Sequence, residues 1–198
     1  MEFEGREEHW SQRFENLDYS GKEIASTEFD GCTFEGCDFS EVTFKRCNFV
    51  ECEFIRCNLS NARIEYSKFS DVSFRDSKLI GINWTTASWP GMIFSSPIKF
   101  YTSILNDSSF YGLALQDFIL EECKAHNVDF REGDFSNANF TYSDLSGCFF
   151  SSTNLSGADF SEATNYDIDI YQNRIEKARF SRFEAVRLLE CLDIDLID

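Results

Sequence analysis

Phenylalanine recurs on every fifth residue at Phe29, Phe34, Phe39, Phe44, Phe49 and Phe54. Two places before the last five stand small or apolar residues: Cys32, Cys37, Val42, Cys47 and Cys52. No regular element keeps such rings together. Five residues advance an α-helix by about 500°, so the rings would wind around the cylinder. A strand alternates its faces, so an odd spacing throws successive rings to opposite sides. A chain that turns a corner every few residues holds every ring on a common axis. Fixed-period self-similarity of this kind is the mark of a solenoid.

The period runs back through Ile24 and Tyr19 to Phe14, and forward through Leu59, Ile64, Phe69, Phe74, Leu79, Trp84 and Trp89 to Phe94. It slips by one residue near Ser95-Ser96-Pro97, resumes at Phe100, and decays beyond Phe160 through Asn165, Ile170 and Ile175 to Phe180. The pattern "small, x, Phe/Leu, x, x", seen as "ADFSE" from Ala158 and "ANFTY" from Ala138, resembles the pentapeptide-repeat proteins. The resemblance covers roughly residues 14–180 and implies an all-β solenoid, a right-handed quadrilateral β-helix with four repeats per coil. Residues twenty apart then stack. Phe34, Phe54, Phe74 and Phe94 are expected in one inner column, and Phe110, Phe130 and Phe150 in another, capped by Ile170. About eight coils follow, a rod of roughly 40 Å at ~4.8 Å per strand. Each buried Phe or Leu contributes about 1.5–3 kcal/mol, enough to hold a thin rod together. The 22 phenylalanines against 7 tyrosines agree, since a ring on the axis has no partner for a hydroxyl.

Three segments are expected: an N-terminal cap or flexible stretch over 1–13, the β-helix over 14–180, and a C-terminal module over 181–198. "SRFEAVRLLECL" reads as a capping α-helix, with Ser181 as N-cap and Glu184 completing a capping box. A solenoid's open end needs such a cover. Leu188, Leu189 and Leu192, followed by Ile194 and Leu196 in the short tail, are the candidate homodimer interface. One apolar patch at a rod's end suits a two-fold contact. In the quinolone-resistance branch of the family a similar helix and tail build such a dimer.

Seven of the eight cysteines occupy the small inward place, where the thiol packs as a small hydrophobe. No C-x-x-C occurs and there are only two histidines, so no metal or cofactor site is expected. No Gly-rich phosphate loop, H-E-x-x-H or G-x-S-x-G is present, and the chain does not read as an enzyme. Free thiols suit a reducing compartment. No apolar run approaches the ~20 residues of a membrane span, and "MEFEGREEHW" is not a signal peptide, so a cytoplasmic location is expected.

The net charge of −17 is unevenly spread. Residues 1–41 carry −9, residues 42–131 carry zero, and residues 132–198 carry −8. Glu132, Asp134, Asp144, Asp159, Glu162, Asp167 and Asp169 form a candidate partner-binding acidic zone, with no Lys or Arg between 132 and 173. They fall in different columns, so they make a zone and not a stripe. Plain solubility accounts for such charge. The sharper account is imitation of nucleic acid, which carries one charge per about 1.7 Å of duplex. Direct nucleic-acid binding is disfavoured, because phosphate contacts need Lys and Arg. Resemblance to the quinolone-resistance branch implies a dimeric rod that binds DNA gyrase or topoisomerase IV and shields it from drugs or toxins. Plasmid-borne members of that branch carry two projecting loops. Here the register leaves only the slip near Pro97, which looks like the loopless type. The alternative is an interaction or scaffold protein of the same fold with an unrelated protein partner.

Overall fold

The computed structural model describes residues 8–89, 96–192, 194 and 197. Three-residue strands pair in parallel, each with the strand twenty residues on. Phe14 lies beside Phe34, Phe34 beside Phe54, and Phe54 beside Phe74 on one side. His9, Phe29, Phe49 and Phe69 run up a second side. Ile24 and Phe44 begin a third. The fourth is a ladder of single bridges, from Asp18 through Asp38 and Asn58 to Lys78. Twenty residues at a five-residue period make four sides, and the chain is a β-solenoid of about eight coils.

The core is the axis. Rings stack flat along it, as Phe34 on Phe54 at 4.6 Å and 15°, and meet edge-on across it, as Phe29 with Phe34 at 75°. Both are favoured aromatic geometries. The corner falls two places after each inward ring, where the backbone takes a left-handed turn. Glu41, Arg46, Glu51 and Arg56 have φ between 49° and 57°. Each such residue costs about 1–2 kcal/mol, which the ladder on either side offsets.

The seven inward cysteines are buried. They also bond. The Cys57 thiol donates to the Phe34 carbonyl at 3.3 Å. One coil on, the Ser77 hydroxyl donates to the Phe54 carbonyl and accepts the Cys57 N–H at 3.0 Å. Ser103 then accepts the Ser77 N–H. The small inward place thus supplies partners for buried backbone groups that the corners leave over. Cysteine shares it with serine and threonine for that reason.

Several expectations need correction. Phe94 lies outside the described residues, and the ring that stacks on Phe74 is Phe100, at 5.2 Å and 12°. The coil from Phe74 to Phe100 spans 26 residues, six more than its neighbours. The additional residues fall between Trp89 and Ile98. Phe94 stands on the five-residue beat, so counting by fives reads through them and shows a slip of only one. At the N-terminus the ladder starts earlier than Phe14. Strand Glu8–Trp10 pairs with Glu28–Asp30, and the His9 ring stacks on Phe29. Near the other end, Asn165 points outward and Tyr166 turns inward instead, packing on Phe160 and Phe180.

Finally, Glu184–Leu192 is a 3-10 helix and not an α-helix. Three residues per turn bring Ala185, Leu188 and Cys191 into one half-buried line, and Leu188 packs against the core. The capping box does not form. Ser181 accepts the Glu162 N–H at 2.7 Å and donates to the Glu162 carboxylate, while Glu184 accepts the Asn165 N–H. These side chains satisfy the edge of the last coil. Among the described residues no helix is long and apolar enough to cross a membrane.

Candidate functional site

Four of the acids stand immediately before an inward residue, each on a different side. Asp134, Asp144, Asp159 and Asp169 accept the backbone N–H two residues on, from Ser136, Ser146, Ser161 and Tyr171. The local rule is the Asx turn, which fixes the carboxylate against its own coil. Neighbouring coils fix it further. Asp134 accepts from Gln116 and Asn154, Asp144 from His126 and Asn165, and Asp159 pairs with Arg179. Partial burial works against ionisation in all three. Hydrogen bonds outweigh it and hold Asp134, Asp144 and Asp159 below the ordinary carboxylate range. Glu132 and Glu162 occupy left-handed corners, at φ 58° and 59°, and Asp167 is exposed. The acids therefore wrap all four sides of the last coils and do not converge on one spot.

The terminal leucines are less open than their pattern suggests. Leu188, Leu189 and Leu192 are half-buried, Ile194 is exposed, and Leu196 lies outside the described residues. Phe183 and Ile197, which the sequence reading passed over, are 90% and 92% exposed.

Also unread in the sequence was an aromatic ladder on the third side. Phe149 points outward beside the inward Phe150, and is 51% exposed. The Arg131 guanidinium lies over both the Tyr111 and Phe149 rings, at 5.8 and 5.6 Å, and is held there by two bonds to Asp129. Glu132 beside the Tyr111 hydroxyl raises that group's pKa. Two adjacent phenylalanines in "CFF" are the signal that could have found it, since only one can face the axis.

For chemistry the surface offers little. Among the described residues no group of three His, Cys, Asp or Glu could hold a metal. Burial pushes the Cys47 thiol up to about 11, and those of Cys52, Cys123 and Cys148 to about 12. A shallow hollow of about 490 Å³ between the third and second sides is lined by Glu28, Arg46, Asn48, Tyr66, Lys68 and Cys47, the thiol that burial holds protonated. It brings together no activated nucleophile and base.

A family model described as a pentapeptide repeat region matches residues 27–97 and 82–160. The chain is a pentapeptide-repeat protein. Its solenoid is similar to two structures of trypsin-treated variants of QnrB1, described as a plasmid-mediated fluoroquinolone resistance protein. The first is 20% identical with a TM-score of 0.72, and covers 96% of this chain and 100% of that one. The second is 22% identical with a TM-score of 0.57, and covers 96% and 97%. At this identity the likeness is one of fold. No curated protein matches the sequence.

Proposed function

We propose that this pentapeptide-repeat protein is a non-enzymatic acidic rod that binds DNA gyrase or topoisomerase IV in the place of DNA, and so protects the enzyme from quinolones or another topoisomerase poison. One observation carries this reading. The last coils hold carboxylates on all four sides, tied down by turn N–H groups and by neighbouring coils, with no Lys or Arg from 132 to 173. Of the four aspartates only Asp159 is paired with an arginine among the described residues, Arg179. Spaced at the coil pitch of about 4.8 Å, fixed anions on a stiff rod offer a basic groove what duplex phosphates offer it. The fold shared with QnrB1 supports the choice of enzyme.

Pairing through Leu188, Leu189, Leu192, Ile194 and Leu196 would double the rod and bring both acidic ends to its centre, in a cytoplasmic homodimer. Light scattering tests this, with Leu189→Arg expected to leave monomers. A second reading, a scaffold with an unrelated protein partner, is favoured by the zero net charge of residues 42–131 and by exposed Phe183 and Ile197.

The deciding experiment is gyrase supercoiling with this protein titrated in, with and without a fluoroquinolone, at two salt concentrations. The proposed function predicts inhibition that weakens as salt screens the attraction, and relief of the drug's effect at low protein. Indifference at every dose would reject it in favour of the scaffold.

A further inference from the structure

We infer that the third side of the last four coils is the face that meets the partner, and that it binds arginine side chains by stacking them on Phe149 and Tyr171. The inference rests on the proposed function for the partner's positive charge, and goes beyond it in naming the face and the side chain recognised.

Up this side, the outward place before each ring holds Glu23, Thr43, Arg63, Asn83, Ser109, Asp129, Phe149 and Asp169. Phe149 is its one apolar occupant. Half of this ring stays in water on an otherwise polar column, which leaves apolar surface that a stacking partner would cover. The face already shows which partner fits. Arg131 is gripped by Asp129 at 2.9 and 2.8 Å and lies over two rings, one on the coil before it and one on the coil after. The two rings thus stand two coils apart with the guanidinium on the coil between, so an aromatic face on this side can take a guanidinium one coil pitch away, about 4.8 Å. On the next coil Tyr171 is 77% exposed and makes no ring or cation contact among the described residues.

Charge selects the occupant. Arg131 is neutralised by Asp129, Glu132 and Asp169 flank the rings, and no other cation lies in the sequence up to Arg174. A cation is attracted, an anion repelled. Arginine suits the site better than lysine, because its planar, weakly hydrated head stacks on an aromatic face while an ammonium holds its water.

The test uses the full chain and the double variant Phe149→Ser, Tyr171→Ser. Ser109 occupies the same outward column, so the fold is expected to carry serine at 149, and a thermal melt checks this. Fluorescence anisotropy with octa-arginine and octa-lysine peptides reads the face directly. The native protein should prefer arginine about fivefold, and the variant should lose that preference while keeping its lysine affinity. No arginine preference in the native protein, or one that survives in the variant, overturns the inference. Supercoiling then separates it from the broader reading. If native protein inhibits gyrase, the variant should need about tenfold more, a change of about 1.4 kcal/mol. Equal potency would discard this face and leave the gyrase reading standing. An inactive native protein would sink the gyrase reading, and the peptide comparison would still decide the face.

Discussion

From Cys32 to Cys57 the small inward place is mostly cysteine, whereas from Gly133 to Ala163 it is mostly glycine, alanine and serine. The cores are alike: Phe34 on Phe54 and Phe140 on Phe160 stack at 4.6 and 4.8 Å. The corners differ. In the cysteine-rich coils the backbone runs as three-residue strands, and the thiol bonds back to carbonyls, as Cys52 does to Phe29 and Val50. In the later coils the inward residue's own carbonyl closes the turn on the N–H three residues on, as Phe135 with Ala138 and Leu155 with Ala158. Strands there shrink largely to single bridges. Val42 and Ala62 close the turn even among the cysteines, and Ser67, Ser108, Ser143 and Cys148 close it although each carries a donor. The corner therefore closes beside donors and apolar side chains alike, and closure goes with the loss of the three-residue strand.

The comparison can be broken in order of effect. Phe54→Asp and Phe140→Asp each place an unpaired charge on the axis and should abolish cooperative melting, by several kcal/mol. If one half survives its substitution and melts normally, the two halves do not share one core. Next come the corners. At Gly147, with φ 68°, an added Cβ would lie 2.5 Å from the Asn127 side-chain oxygen, whereas at Gly112, also at 68°, nothing lies within 4 Å. Urea melts should show Gly147→Ala losing about 2 kcal/mol and Gly112→Ala about 1 kcal/mol. Equal losses would mean that backbone strain alone matters.

The inward place itself is probed by Ser77→Ala, which strands the Cys57 N–H and the Phe54 carbonyl and should cost about 1–3 kcal/mol. Cys47→Ala should cost under about 1 kcal/mol, because the lost thiol bond is weak. The reverse order would show that the thiol bond matters more than the hydroxyl bridge. The smallest effect is acid sensitivity. Asp134, Asp144 and Asp159 have folded pKa values below the unfolded ~3.9. Their stabilisation is present above that value and is lost as pH falls through the folded ones. Hydrogen exchange between pH 4 and pH 2 should show the later coils opening before the cysteine-rich ones, with an effect of well under 1 kcal/mol per group after screening by solvent.

Much of this was legible. Five-residue spacing of phenylalanine leaves little but a solenoid, and glycine two places after the ring, as at Gly147 and Gly157, marks the left-handed corner. The fixed acids were legible too, as Asp-x-Ser at 134, 144 and 159, once the serine N–H is seen as the partner. Other features were not. Period counting cannot tell Phe94 from Phe100, because both stand on a beat and only pairing with Phe74 decides. His9 carries the wrong polarity for an axis residue, yet its flat ring stacks as phenylalanine does. Ser181 and Glu184 have capping-box spacing, but the unsatisfied edge of the coil below competes for them and wins.

The twenty-residue register also sets how this chain reaches its fold. Nearly every backbone pairing joins residues about twenty apart in a chain of 198, a relative contact order near 0.1. That belongs with helical bundles and not with sandwiches, although the protein is all β. Each coil needs only its predecessor as a template, so winding can proceed from the N-terminus as the chain leaves the ribosome. Among the described residues the 26-residue coil is where the growing end must close a longer loop before the next rung can form. Synthesis and folding can therefore keep step, with a pause expected between Phe74 and Phe100.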